Sequence, residues 1–411
     1  MTAICVIGLG YIGLPTAAVL ARAGADVVGV DVSARHVDAV NRGELPFVEP
    51  DLGEVVTDVV ASGRLRAQRE TPHADVYIVA VPTPFKGDHE PDLSYVEAAA
   101  EGIAPQLVGG ELVILESTSP VGATEHVADV ILGARPDLSR DDGDGRPVVH
   151  FAYCPERVLP GRVMAELVTN SRIIGGVSPQ AAQMARDVYA LFCKGDLRLT
   201  DARTAEMVKL TENSFRDVNI AFANELSLIS EKFGIDVWEL IELANLHPRV
   251  NILQPGPGVG GHCIAVDPWF IVSAAPQEAR LIRTAREVND SKPLQVVERV
   301  RQAVAGMAAP TIAALGLAFK ADIDDLRQSP AVEITRDVAR LPGARVLVAE
   351  PNISALPAAL ADAANVELVD FSEAIARADV IVLLVDHRQF KALDRSLLAG
   401  KRIIDTRGIW R

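Results

Sequence analysis

Aromatic residues are scarce in this chain, at 5% of 411 residues, although 49% of the residues are hydrophobic. That balance fits an Ala/Val/Leu-rich α/β protein better than a β-sandwich, and no period of roughly 20 to 50 residues points to a repeat array. A cationic excess is missing too. Lys and Arg number 40 against 55 Asp and Glu, a net charge of −15, which is the wrong sign for a nucleic acid or an anionic membrane surface. A small phosphorylated ligand held by a local Arg/Lys cluster stays open. The four cysteines, Cys5, Cys154, Cys193 and Cys263, show neither C-x-x-C nor any metal-ligand spacing, so neither a disulfide framework nor a metal site is indicated and a reducing compartment is expected. One long uncharged run exists, Ala3 to Ala21. No basic segment precedes it and Gly8, Gly10, Gly13 and Pro15 cut it, so it reads as strand, turn and helix rather than a membrane span. A chain of this length is expected to form two or three domains.

What is present begins with a short apolar run, Ala3 to Ile7, followed by Gly8-Leu9-Gly10-Tyr11-Ile12-Gly13 and a helical pattern. In G-x-G-x-x-G after a strand, the first glycine permits the tight turn and the second lets a pyrophosphate approach the backbone. The third lets helix pack on strand, with the helix N-terminus facing the phosphate charge. A second strand, Val27 to Val30, ends in Asp31, 18 residues after Gly13, where a carboxylate can accept from a ribose diol and repel a 2′-phosphate. NAD is therefore expected over NADP, with Arg35 the one nearby cation opposing that preference. Strands at 76–81 and 112–115 run into hydroxyl-bearing turns, making Thr83 and Thr118 candidate cofactor contacts. Ser and Thr are also ordinary turn and cap residues.

Asp141, Asp142 and Asp144 lie in a Gly/Pro-rich loop without the Glu that an EF-hand needs, and a solvated loop is expected there, as at Asp88. A strand around Val148–Tyr153 leads into Cys154-Pro155-Glu156-Arg157-Val158-Leu159-Pro160-Gly161, placing Glu156 and Arg157 at a strand end. From Thr204 to Phe233 there is neither Gly nor Pro, which predicts one helix ending at Gly234. Lys209, Asn213 and Arg216 share a face of it, either an anion-binding stripe or a solvated charged face. Helix is expected to continue to Leu246, and again over Pro276–Met307. Between them Gly256 to Phe270 carries four glycines before Asp267 and is expected to be neither helix nor strand. It presents a lone thiol, Cys263, with Asp267 four residues on. A lone cysteine most often fills space in a core, and here the small neighbours expose it instead. The last ~100 residues read as α/β once more: a strand at 311–317, a helix from Pro330, and strands at 345–349 and 380–385. Their first turn, Gly316-Leu317-Ala318-Phe319-Lys320, has a Lys at the expected place of a second glycine, and Lys320 with Arg327 suits a different phosphate ligand. Asp322, Asp324 and Asp325 are expected to cap and to pair with those cations.

Taken together, GLGYIG, VPTP, CPERVLPG, KLTENSFRD, HPRVNI, GPGVGGHC, GLAFKADIDDLRQSP and DTRG resemble the nucleotide-sugar 6-dehydrogenases of the UDP-glucose/GDP-mannose dehydrogenase family over essentially the whole chain. Within it, CPERVLPG stands where the glucose members have an F-L-x-E-G loop. The chain is more similar to members acting on UDP-N-acetyl-D-mannosamine. The resemblance implies an α/β fold of two Rossmann-like parallel-sheet domains joined by a long central helix, divided at 1–200, 201–307 and 308–411. It also implies a homodimer with an active site shared across the interface, and a cytoplasmic setting. It implies oxidation of a C6 alcohol to a carboxylate with two NAD, through a thiohemiacetal and a thioester on Cys263. Lys209 and Asn213 then stabilise the oxyanion, Thr118 joins the catalytic set, and Asp267 or Glu156 serves the hydrolytic water. Cofactor contacts carried over are Gly8, Gly10, Tyr11, Ile12, Gly13, Asp31, Thr83, Thr118 and Arg327. Substrate contacts are Arg157, Val158, Lys209, Asn213, Arg216, His247, Arg249, Gly260, Phe319, Lys320 and Arg407, with the His-Pro-Arg segment supplied by the partner subunit. The rival readings are the same oxidation of UDP-glucose or UDP-N-acetylglucosamine, a single-hydride dehydrogenase of the 6-phosphogluconate type, and a catalytically inert nucleotide-binding regulator.

Overall fold

Strand β1 (Ala3–Ile7) is buried on both faces: Ile4 and Val6 enter one apolar cluster and Cys5 and Ile7 another. An uninterrupted apolar run is what a central parallel strand covered by helices on both sides requires. The computed structural model describes every residue except Met1, Val48, Asp88, Asp144, Pro160 and His262. The loop readings at Asp88 and Asp144, and Pro160 and His262 of the motifs, therefore lie outside the described residues. By contacts the chain forms two units, residues 1–212 and 213–411.

In the first unit β1 is joined by β2 (Asp26–Val30), β3 (Leu65–Gln68), β4 (Val76–Val79), β7 (Leu112–Leu115), β8 (His150–Tyr153), β9 (Arg172–Gly176) and β10 (Leu197–Asp201), while β5 (Phe85–Lys86) and β6 (Glu90–Pro91) form a separate small ribbon. The sheet order is β10-β9-β8-β7-β4-β1-β2-β3, parallel except for the β8–β9 pair. Chain order reverses between β1 and β4, and the crevice at their carboxyl ends is where such sheets take ligands.

The long helix Ala202–Phe233 has 32 residues and ends at Gly234, whose φ of 67° closes the helix as a side chain rarely would. In the second unit, helices Val237–Ala244, Asp267–Ala274 and Arg280–Ala303 precede a sheet of β11 (Thr311–Leu315), β12 (Arg345–Ala349), β13 (Val366–Leu368), β14 (Val380–Leu383) and β15 (Arg402–Asp405). Its order, β13-β12-β11-β14-β15, is all parallel and reverses between β11 and β14. A buried Arg286–Asp217 pair at 2.6 Å, with Asn289 donating to the same carboxylate, ties the long helix to Arg280–Ala303.

Three expectations are corrected. The expected helix over 276–307 is shorter, at Arg280–Ala303, and the one expected to reach Leu246 stops at Ala244. The stretch expected to be wholly irregular, Gly256–Phe270, opens a helix at Asp267, because Pro268 near a helix start has its φ preset and lacks only an N–H that would go unpaired there. No helix among the described residues is long and apolar enough to cross a membrane.

Candidate functional site

The β1/β4 crevice is built by glycines whose geometry leaves little choice. At Gly8, φ is 94° and an added Cβ would lie 2.4 Å from the Ala80 carbonyl oxygen; at Gly13 it would lie 1.8 Å from that of Gly8. Around Gly10 nothing lies within 4 Å, so the backbone between the two packed glycines faces open space. Asp31 accepts from the Leu9 N–H at 2.9 Å and the Ser33 N–H at 2.8 Å, with His36 Nδ1 at 3.4 Å, bracing the turn. Tyr11 stacks on Phe47 at 4.3 Å, and Ile12 is the residue before helix Gly13–Arg22. Thr83 follows β4, and its hydroxyl is buried without a hydrogen-bond partner among the described residues. Next to it Ser117 donates to the Val81 carbonyl at 2.6 Å, tying the β7 turn that carries half-buried Thr118 to the β4 turn. A glycine cradle, a ribose-height carboxylate and an orphan buried hydroxyl fit a dinucleotide.

At the end of β8 lies a buried charge cluster that local spacing does not signal. Arg172 pairs with Glu156 at 2.8 Å, stands 3.8 Å from Glu116, and lies over the ring of Tyr189 at 4.6 Å. Burial pushes Glu116 up to about 7, opposed by the Arg172 charge. Glu156 has its other oxygen on the Arg157 N–H at 2.6 Å. Lys209, buried, donates to the Glu156 carbonyl oxygen at 2.7 Å. Arg157 is not an open cation: Glu212 takes its guanidinium at 2.5 Å. Val158 packs at the edge of the core beside it.

In the second unit Cys263 is exposed, while Cys5 and Cys154 are buried thiols that burial pushes up to about 12. The Cys263 carbonyl accepts from the Val266 and Asp267 N–H groups at 3.0 and 2.8 Å, so the thiol residue closes a turn onto the start of helix Asp267–Ala274. Asp267 is buried and accepts from Asn213 Nδ2 at 2.5 Å, and Arg216 donates to Asn213 Oδ1 at 2.5 Å. The expected stripe therefore continues as a hydrogen-bonded file from Arg216 through Asn213 to Asp267. The glycines ahead of Cys263 are pressed against the loop after β11. A Cβ on Gly260 would meet the Gln328 carbonyl at 2.6 Å and Phe319 at 2.9 Å.

The β11/β14 crevice is lined by Pro257, Gly258, Phe319, Lys320, Asp386 and Arg407. Lys320 is exposed, and Arg407 is held by Asp386 at 3.0 Å. Counting from Gly316, with φ of 90°, the place of the second glycine is held by Ala318, not Lys320; the lysine stands where the first unit has Ile12. Glu350, after β12, accepts from the Leu317 and Ala318 N–H groups at 2.7 and 3.0 Å and from buried His387 at 3.0 Å. Asp325 pairs with Arg327 at 2.6 Å as expected, whereas Asp322 turns away from both cations to Arg388 and its N–H, each at 3.1 Å. His247 and Arg249 lie on an exposed turn, where the Arg249 N–H donates to His247 Nδ1 at 3.4 Å.

Residues 2–193, 203–291 and 313–411 match in turn the NAD binding, central and UDP binding domains of the UDP-glucose/GDP-mannose dehydrogenase family. The chain is 58% identical over 408 residues, 99% of its length and 96% of the relative's, to an NDP-N-acetyl-D-galactosaminuronic acid dehydrogenase of Ralstonia nicotianae. It is also 58% identical over 419 residues, 100% of its length and 99% of the relative's, to a UDP-N-acetyl-D-mannosamine dehydrogenase of Salmonella typhi. Among solved structures it is similar to a UDP-D-ManNAc dehydrogenase from Pyrococcus horikoshii, with TM-score 0.90 and 40% identity over 100% of this chain and 96% of that one.

Proposed function

The chain belongs to the UDP-glucose/GDP-mannose dehydrogenase family, and on that premise we propose that it oxidises the C6 alcohol of UDP-N-acetyl-D-mannosamine to the uronate, UDP-N-acetyl-D-mannosaminuronate, a sugar donor for cell-surface polysaccharide. Exposed Cys263 at the head of a helix whose first carboxylate is held by Asn213 is the observation that carries the reading. The Gly8–Gly13 turn would hold NAD, which would supply the hydride acceptor for each of the two oxidations. Cys263 as thiolate adds to the C6 aldehyde left by the first oxidation. The thiohemiacetal oxygen then gives up its proton as the second oxidation leaves a thioester, and water hydrolyses that to the carboxylate and the returning thiolate. Lys209 and Asn213, one turn apart on the same helix, donate to the oxygen that carries negative charge at both stages. We assign the positioning of the hydrolytic water to Asp267, which follows Cys263 by four residues and shares a hydrogen bond with Asn213.

The uridine diphosphate is assigned to Phe319, Lys320 and Arg407, with Gly260 keeping the backbone close. A second copy of the chain completes the site. In support, the long helix exposes Phe215, Phe222, Ile229 and Phe233 along one side, an apolar stripe that water does not favour, and the Arg249 side chain is exposed and offered outward. A nucleotide-sugar substrate and a thiol that must stay reduced support a cytoplasmic setting.

Counting NADH against UDP-N-acetyl-D-mannosamine tests this. Two NADH per sugar are expected, with Cys263→Ser stalling before the acid and losing at least about a thousandfold in kcat. One NADH per sugar, or an unaffected Cys263→Ser enzyme, refutes the thioester route. Equal kcat/KM for UDP-glucose, UDP-N-acetylglucosamine or UDP-N-acetylgalactosamine refutes the choice of sugar. Mixing Arg249→Ala with Cys263→Ala chains restores activity if the site is shared.

A further inference from the structure

Within the second unit a cavity of about 270 Å³ lies behind the nucleotide crevice. Its floor carries Lys292, 7% exposed, whose ammonium has the Ser227 hydroxyl at 2.7 Å and no carboxylate within ion-pair distance among the described residues. Its side carries the Trp238 ring. A buried cation answered only by a hydroxyl is costly, and Lys292 lines this space. Acidic residues line it as well, but each is engaged. Asp405 accepts from the N–H groups of Arg407, Gly408 and Trp410; Asp236 caps helix Val237–Ala244; Glu231 faces Arg299 at 3.5 Å. Those carboxylates make a dianion less welcome than a monoanion.

The cavity and the crevice share a wall one residue thick in two places. Pro255 and Gly256 line the cavity and Pro257 and Gly258 line the crevice; Asp405 and Thr406 line the cavity and Arg407 lines the crevice. The two wall segments touch, since a Cβ on Gly256 would lie 2.7 Å from the Arg407 guanidinium. The first segment runs on to Cys263.

We propose that this cavity is an effector site for a small carboxylate monoanion of up to sugar-acid size, coupled through the shared wall to the nucleotide crevice. The carboxylate takes the Lys292 ammonium and lies against the Trp238 ring, and its seating fixes where Gly256 and Arg407 stand. Burial, with the Arg299 charge adding, lowers Lys292 to about 8. The anion is therefore held at neutral pH, where the amine is protonated, and released as the pH rises past that value. Ser227, Glu231, Asp236, Gln295, Arg299, Asp405 and Thr406 are the other polar or charged residues lining the cavity.

The coupling rests on the crevice being the nucleotide site, and the test separates the two. The full-length protein is titrated with D-glucuronate and, separately, inorganic phosphate, following tryptophan fluorescence, and UDP binding is measured by calorimetry with and without glucuronate. Saturable quenching by glucuronate is expected, weakened about tenfold or more in Lys292→Met. The UDP dissociation constant is expected to shift several-fold when glucuronate is bound, and by the same factor in the reciprocal titration. No saturable signal with either anion overturns the effector site while UDP still binds. Glucuronate displaced by UDP, or phosphate bound as tightly as glucuronate, overturns it too. Failure of UDP to bind at all refutes the reading of the crevice instead.

Discussion

The two switch-point crevices start from one plan and end with different tenants. Each has a glycine of positive φ after its first strand, Gly8 at 94° and Gly316 at 90°, each against the backbone or side chain of the strand across the reversal. Each has a carboxylate after its second strand that accepts from the N–H of the next residue, Asp31 from Leu9 and Glu350 from Leu317. Then they diverge. Gly10 leaves its turn open, whereas Ala318 occupies the matching place and gives its N–H to Glu350. Asp31 remains half-buried beside His36, but Glu350 is sealed under His387. A half-buried carboxylate in one half is a sealed, structural one in the other. On the function proposed above, phosphate binding passes from backbone N–H groups to Lys320 and Arg407, and one fold separates a dinucleotide from a nucleotide sugar by what it buries behind the first turn.

The largest effect is expected from removing the sealed carboxylate. Glu350→Ala leaves three backbone N–H groups, of Leu317, Ala318 and Asn352, and a buried histidine unanswered and costs about 3 kcal/mol in denaturant unfolding, against about 1 kcal/mol or less for Asp31→Ala. Asp31→Ala instead weakens NAD binding and leaves UDP binding intact. Equal losses of stability would erase the distinction. Next in size, Gly10→Ala has room for its methyl and keeps the melting temperature, yet raises the KM for NAD about tenfold by obstructing the pyrophosphate. An unchanged KM would mean that the open turn is not where the dinucleotide lies.

The smallest effect is a pH dependence. Burial pushes Glu350 up, but the His387 hydrogen bond and charge and the two N–H groups outweigh it and leave its pKa below the ordinary 4.5. Because the folded state holds this carboxylate ionised more firmly than the unfolded chain does, the stabilisation is complete above pH 4.5 and fades as pH falls through the lower folded value. Chemical unfolding followed from pH 6 down to roughly pH 3 should show a shallower acid loss in Glu350→Gln than in the parent. Identical slopes would remove Glu350 as its source.

The first crevice was legible in the sequence because its parts are close together: three glycines in six residues and Asp31 one strand later. The second was misread by two positions. Lys320 drew attention as a charge, while the residues that decide the turn, Glu350 and His387, lie 33 and 70 positions beyond Leu317 and carry no local pattern. Arg172 escaped for the same reason, since only the folded sheet sets it between Glu116 and Glu156. Long-range burial also explains why Arg157 looked available: its partner Glu212 is 55 residues away. The long helix, by contrast, needed only an unbroken run without Gly or Pro.

Gly258, Gly260 and Gly261 each lie so close to Phe319 or Pro330 that a single methyl would collide or crowd. Evolution is therefore nearly closed out of the segment that delivers the reactive sulfur. A descendant recruited to a different hexose has to change the walls that face this segment, and a designer seeking new sugars is better served by randomising those walls than the glycines.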